Sequence, residues 1–363
     1  MPSSLRTRRA GLVAAAAAIP VALGYRFALV YRVRAGYPRR HLPASMPAAV
    51  GLAWEDVVIP NPAGLGLPGW FMPAPDREPG APGPFRSPAV VLIHGWESAR
   101  DRTLPHAQFL HAAGFAVLAI DVRGHGANGP ELLPISVGEF AADARSAVAW
   151  LGGRDDIGRI GVLGHSMGGA GAIVAAATDP GIAAVVALSA PAGPYRLTRQ
   201  TFRLAGLPLP APVAWPLAWL TTRVYLRPRR HRPADISASR AIREIAAPVL
   251  LVHGSEDRVM PVGDLARLAA ARRSARPGAV TETLLVEGGA HSWLYESPIV
   301  RATVARFLAA SLGGPLDPDA ASAAAEAVPA LRPQEDDRLT ALDDEPGGAR
   351  SLARLFRRHL PAP

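Results

Sequence analysis

The sequence predicts an α/β protein with a mostly parallel central sheet, helices on both faces and a cap inserted late in the chain. Three observations predict it. Apolar runs of strand length alternate with segments of helical length from residue 89 to residue 311. Runs such as 89–93 are apolar at every position rather than at every second one, which suits strands buried on both faces. Residues 192–240, rich in Arg, Trp and Pro, interrupt the alternation between two consecutive strands.

The elements follow in order. Residues 1–40 hold eight Arg and no acid. Arg6, Arg8 and Arg9 precede an apolar run over 10–25, which extends to Tyr31 if Arg26 snorkels to an interface. The shorter run falls below the ~20 residues a bilayer needs and the longer one reaches it. The segment reads as an uncleaved membrane anchor. A cleaved signal peptide for export is the alternative, with Thr7-Arg8-Arg9 fitting a twin-arginine signal, but no small-x-small site follows Leu23. Residues 54–59 and 67–72 read as two opening strands. The turn between them spells Gly64-Leu65-Gly66-Leu67-Pro68-Gly69, a literal G-x-G-x-x-G. Pro68 stands where a dinucleotide-binding helix would begin, and Trp70-Phe71-Met72 continues as strand, so this is not a nucleotide loop. Six prolines in 73–88 mark a surface connection.

Strands are then expected over 89–93, 115–120, 160–163, 183–188, 249–252 and 283–286. Helices are expected over 103–113, 137–151, 167–177, 262–273 and 297–311. Residues 52–312 form the main domain with the 192–240 cap inside it. Residues 313–363 read as a low-complexity tail: an acidic stretch over 335–345, then a basic amphipathic one over 349–360. There Leu352, Leu355, Phe356 and Leu360 share one helical face, with Arg354, Arg357 and Arg358 around it.

Composition removes several chemistries. The 363 residues contain no cysteine, so there is no disulfide, thiolate nucleophile or iron–sulfur ligand. They contain no lysine either, and all 39 basic side chains are Arg. A Walker-type phosphate loop and a pyridoxal Schiff base both need lysine. No His-x-Glu or H-E-x-x-H pattern suggests a metal, and no cofactor is expected. The net charge of +9 is concentrated in residues 1–40 and 192–243, leaving −8 on the remainder. Two local basic zones suit a membrane surface or an anionic ligand better than a nucleic-acid groove. The exclusive use of Arg also fits a bias in genomic base composition.

The chemistry gathers at strand ends. Gly164-His165-Ser166-Met167-Gly168 is a G-x-S-x-G motif that follows an expected strand and opens an expected helix. A neutral hydroxyl needs a base and an acid that orients it. Asp257 follows the strand 249–252, with Glu256 and Asp264 as nearby competitors. His291 follows the strand 283–286. Function collects at such strand ends in open parallel sheets. His94, Asp121, Arg123, His125 and His165 occupy similar places and read mainly as scaffold, holding loops by hydrogen bonds.

Five ordered motifs carry a resemblance: Val90-Val91-Leu92-Ile93-His94-Gly95-Trp96, Asp121-Val122-Arg123-Gly124-His125-Gly126, the Ser166 motif through Gly169, residues 248–257, and Gly289-Ala290-His291. Over about residues 52–312 the chain resembles an α/β-hydrolase of the serine aminopeptidase-like and monoacylglycerol lipase-like branch, which is also similar to the prolyl-oligopeptidase catalytic domain. The resemblance implies Ser166 as nucleophile, His291 as general base and Asp257 as its orienting acid. It implies an oxyanion hole from the backbone N–H groups of Trp96 and Met167. It also places the cap at 192–243, where Trp215 and Trp219, with Trp96 from below, are expected to wall a pocket for an acyl or aromatic substrate; Trp96 reads equally as an aromatic capping the sheet end. The expected activity is cofactor-independent hydrolysis of a carboxylic ester, esterase- or lipase-like. A serine peptidase and an acyltransferase or thioesterase are the alternatives. An idle binding module is disfavoured because all three triad members are present.

Overall fold

One eight-stranded sheet organises the chain in a computed structural model that describes residues 3–75 and 86–330, with side chains from residue 18 onward. The chain opens with helix α1 (Ser3–Ala35) and an antiparallel pair, β1 (Glu55–Pro60) and β2 (Gly66–Met72). The G-x-G-x-x-G segment begins in the turn of this hairpin, closed by the Gly64 N–H on the Asn61 carbonyl at 2.9 Å, and runs on as β2 from Gly66. Then come β3 (Ser87–Ile93), α2 (Leu104–Ala112), β4 (Ala116–Ile120), α3 (Val137–Gly152), β5 (Ile157–His165), α4 (Met167–Ala176) and β6 (Ile182–Leu188). The cap follows as α5 (Pro194–Leu204), α6 (Ala211–Leu226) and α7 (Ala238–Ala241). The domain resumes with β7 (Val249–Gly254), α8 (Gly263–Ala275), β8 (Thr281–Val286), α9 (Pro298–Leu312) and α10 (Pro318–Ala327).

The sheet order is β1-β2-β4-β3-β5-β6-β7-β8, with β2 antiparallel to both neighbours and the rest parallel. The uniformly apolar runs are explained by the two faces. Along β3, Ala89, Val91 and Ile93 pack with Phe140, Ile173 and Leu268 of α3, α4 and α8. Val90 and Leu92 point the other way, to Phe109, Val304 and Phe307 of α2 and α9. Side chains alternate across a strand, so a strand covered on both sides must be apolar throughout. The expected mostly parallel sheet with helices on both faces and a cap is what the chain adopts, with element ends shifted by up to three residues.

Both termini depart from expectation. Among the described residues no helix is long and apolar enough to cross a membrane, so the transmembrane reading of residues 10–31 finds no support there. Helix α1 instead packs on the cap. Its Tyr31 hydroxyl bonds Thr201 Oγ1 at 2.6 Å, Phe27 and Tyr31 pack edge-on against Phe202, and the Tyr225 hydroxyl donates to the Ala35 carbonyl at 3.1 Å. The boundary expected at residue 312 also moves. Asp317 caps α10 by accepting from the Asp319 and Ala320 N–H groups, and Arg301 of α9 donates to the Ala325 and Glu326 carbonyls at its far end. Ala321 and Ala325 are fully buried against the core. The acidic stretch 335–345 and the amphipathic stretch 349–360 lie outside the described residues, as does most of the proline-rich connection.

Candidate active site

Ser166 sits on the turn from β5 into α4 with φ 53° and ψ −118°, a backbone conformation that L-residues avoid. Two glycines make the turn possible. A Cβ on Gly164 would lie 2.2 Å from the Gly168 carbonyl oxygen, and one on Gly168 would lie 2.3 Å from that of Ile93. The Ser166 N–H is held by the Leu188 carbonyl at 2.8 Å, which ties the turn to β6.

Three strand ends bring the expected triad together. Ser166 Oγ lies 3.1 Å from His291 Nε2, and His291 Nδ1 lies 2.8 Å from Asp257 Oδ2. All three are buried. A carboxylate only accepts, so Nδ1 carries the proton and Nε2 is left to accept from the Ser166 hydroxyl. The competing acids are elsewhere: Glu256 is exposed, and Asp264 accepts from the Ala192 N–H at 3.0 Å and Arg196 Nε at 2.9 Å.

Asp257 is fixed on four sides. Its Oδ1 accepts from the Val259 and Met260 N–H groups at 2.9 and 2.6 Å. Its Oδ2 faces both His291 and His253 Nε2, the latter at 3.1 Å. Burial pushes the Asp257 pKa up, but the two histidines outweigh it and hold the carboxyl well below the usual carboxylate range. His253 belongs to a motif noted in the sequence, yet its support of Asp257 was not anticipated. The His291 carbonyl in turn accepts from His165 Nε2 at 2.8 Å and the Ser189 hydroxyl at 3.3 Å. Burial, then the neighbouring His291, lower the His165 pKa to about 3, so it serves as a neutral donor.

The remaining strand-end polar groups are scaffold, as expected. His94 Nε2 accepts from the Val122 N–H at 3.1 Å, which leaves its Nδ1–H for the Gly95 carbonyl at 2.7 Å. Asp121 accepts from the Arg100 and Ala127 N–H groups at 2.7 and 2.9 Å. Arg123 is clamped on Asp143, with Nε 3.0 Å from Oδ1. His125 Nδ1 meets the Arg123 carbonyl at 3.0 Å. His94 thereby orients the loop that carries Trp96. That loop passes so close to Ser166 that a Cβ on Gly95 would be 3.4 Å from Ser166 Cβ. Met167 is the first residue of α4, where an N–H has no partner within the helix.

Two cavities meet at Ser166 and Trp96. The larger, about 210 Å³, lies under the cap and is walled by Trp96, Met167, Leu197, Leu204, Leu226 and Met260, with Ser166 and His291 at its base. Tyr31, Arg34 and Ala35 of α1 complete it. The smaller, about 60 Å³, is bounded by Trp96, His106, His165, Leu294 and Tyr295. Trp96 lines both cavities. Trp215 and Trp219, expected beside it, line neither: they stand on the outer face of α6, while Thr222, Tyr225 and Leu226 turn inward. The spacing places both tryptophans on one helix face, but which face turns inward is a packing outcome. Tyr31 was missed because nothing local marks an N-terminal helix as part of a pocket. Among the described residues no cluster of three or more His, Asp or Glu is placed to hold a metal ion.

Known proteins are similar to this chain. Residues 86–243 match the family described as serine aminopeptidase, S33. An uncharacterized protein of Mycobacterium tuberculosis is 32% identical over 231 residues, spanning 63% of this chain and 71% of that one. A monoacylglycerol lipase of Mycolicibacterium smegmatis is 32% identical over 201 residues, spanning 48% of this chain and 71% of the lipase. An esterase from Pyrococcus furiosus shares the fold, with a TM-score of 0.59 at 22% identity, over 76% of this chain and 98% of the esterase.

Proposed function

Because the chain belongs to the serine aminopeptidase S33 family of α/β-hydrolases, we propose that it hydrolyses carboxylic esters through an acyl-enzyme on Ser166. The observation that carries the reading is the relay of 3.1 and 2.8 Å from Ser166 through His291 to Asp257, at the base of a cavity walled by aliphatic side chains. His291 Nε2 takes the hydroxyl proton as Ser166 Oγ attacks the ester carbonyl. Asp257 keeps the imidazole in the accepting tautomer and stabilises the imidazolium. The N–H groups of Met167 and Trp96 receive the developing oxyanion, each such donor being worth about 3–4 kcal/mol in related sites. The imidazolium returns its proton to the leaving alcohol. A water activated by His291 then releases the acid and frees Ser166.

The family also contains peptidases, so amide cleavage is the second reading. An aminopeptidase needs a carboxylate for the substrate amine. Among the described residues lining the larger cavity the one acid is Glu97, and its Oε1 already accepts from the Arg39 N–H at 3.1 Å. That favours esters. The test is a matched panel of p-nitrophenyl esters, p-nitroanilides and thioesters, with fluorophosphonate labelling of wild type and Ser166→Ala. Ester turnover and labelling that both vanish in the variant are expected. Anilide turnover exceeding ester turnover, or labelling that persists, overturns the assignment.

A further inference from the structure

We propose that the outer face of α1 and α6 docks on an anionic lipid bilayer. The inner face of α1 is spent on the cap, but its other side is also apolar. Ile19, Leu23, Val30 and Val33 recur at the 3.6-residue period along one side of the helix and are 47–64% exposed. Helix α6 lies alongside: Gly24 backs onto Leu217 and Leu220, where a Cβ would already touch Leu220. Its own outer side presents Trp215 and Trp219, 38% and 49% exposed. A run of large apolar side chains exposed among the described residues across two adjacent helices marks an interaction surface.

Charge selects the occupant. Helices α1, α5, α6 and the turn after α6 contain no acidic residue; their Arg196 and Arg229 pair with Asp264 and Glu131, while Arg26, Arg203, Arg223 and Arg227 are exposed. Arg26 interrupts the α1 stripe and is exposed. The Arg199 guanidinium lies 4.8 Å from the Trp215 ring centre, and that of Arg223 lies 4.3 Å from the Trp219 ring centre. Arginine paired with tryptophan suits the level of lipid headgroups, where indole rings settle and cations meet phosphate. A protein interface depletes charge at its core. A second copy meeting this face would set arginine against arginine. Residues outside the two basic zones carry −8, so the field of the whole chain turns this face toward an anionic surface. Tyr31 and Ala35 line the cavity from the inner side of the same helix, so docking sets the cavity beside the bilayer. That last consequence, an amphiphilic ester as substrate, rests on the ester-hydrolase reading; the docking does not.

The experiment is co-sedimentation of the full chain with phosphatidylcholine vesicles, with and without phosphatidylglycerol. Binding to the anionic vesicles that weakens with salt is expected. The double variant Leu23→Asp/Val30→Asp should lower that affinity by roughly tenfold or more. Arg223→Glu/Arg227→Glu should lower it at low salt and lose that effect at high salt. Both should keep wild-type turnover of p-nitrophenyl butyrate in solution, which checks the fold and separates failure here from failure of the ester-hydrolase reading. The proposal is overturned if wild type ignores the vesicles, binds pure phosphatidylcholine as tightly, or binds equally well with these substitutions. It is also overturned if light scattering shows a dimer that the aspartates dissolve while wild type never binds vesicles.

Discussion

Replacing Asp257 by Asn tests the relay with the least disturbance of the fold. Asn has one oxygen where Asp has two. The Val259 and Met260 N–H groups, 2.9 and 2.6 Å from Oδ1, need an acceptor, so the amide oxygen takes that place. The amide NH₂ then occupies the Oδ2 position and donates to His291 Nδ1, which must give up its proton and accept. The proton moves to Nε2, the atom that has to accept from Ser166 Oγ at 3.1 Å. The loop keeps both main-chain bonds, so the thermal midpoint should change little. The base is in the wrong tautomer, so kcat should fall about 10⁴-fold, or about 5.5 kcal/mol. Glu256→Gln, one residue away and exposed, should stay within about twofold. The assay is steady-state hydrolysis of a p-nitrophenyl ester alongside thermal unfolding. A folded Asp257→Asn enzyme within tenfold of wild type would refute the relay, and a larger loss from Glu256→Gln would move the acid by one position.

Ser166→Ala should leave stability near wild type and abolish acyl-enzyme formation, with kcat down on the order of 10⁶-fold by steady-state assay, since triad members act as a unit. Tyr31→Ala should enlarge the acyl cavity and shift the chain-length profile of kcat/KM toward longer acyl groups. Tyr31→Phe, losing only the 2.6 Å bond to Thr201, should keep the profile at a stability cost of about 1 kcal/mol; an unchanged profile in Tyr31→Ala would remove α1 from the substrate wall. Burial lowers the pKa of His106 to about 4 and those of His125 and His165 to about 3. The unfolded chain, titrating near 6.5, therefore binds more protons below that pH, and each histidine removes about 1.4 kcal/mol of stability per pH unit between about 6.5 and its folded value. The depressed Asp257 acts only below the ordinary carboxylate range, so this window belongs to the histidines. Among the described residues neither ring nitrogen of His106 has a hydrogen-bond partner, and the smaller cavity adjoins it. His106→Phe should thus narrow the stability gap between pH 7.5 and pH 5 by about 2 kcal/mol in urea titrations; a gap as wide as wild type would show that His106 does not titrate as a buried neutral ring.

The sheet and the triad were legible in the sequence because both depend on local order. A strand covered on two faces must be apolar at every position, so runs such as 89–93 and 249–252 announce themselves. The tight turn at Ser166 admits only glycine at Gly164 and Gly168, where any Cβ would strike backbone. Asp257 follows such a run and His291 follows the edge strand β8, and the ends of parallel strands lie on one edge of the sheet, so strand order gathers them. What the sequence left open was the partner of each remaining apolar surface. Hydropathy counts apolar residues without saying what covers them. Helix α1 is apolar on two sides, and only the folded chain assigns Phe27 and Tyr31 to the cap while leaving Ile19, Leu23 and Val30 outward. In α6 the same ambiguity misplaced Trp215 and Trp219: helical spacing shows that they share a face. The small residues Ala214 and Ala218, both buried, mark the flank of the helix that packs inward, which only the folded chain decides. Periodicity is a property of one segment, whereas burial is a property of two surfaces meeting, and the second surface lies some 170 residues away in the chain.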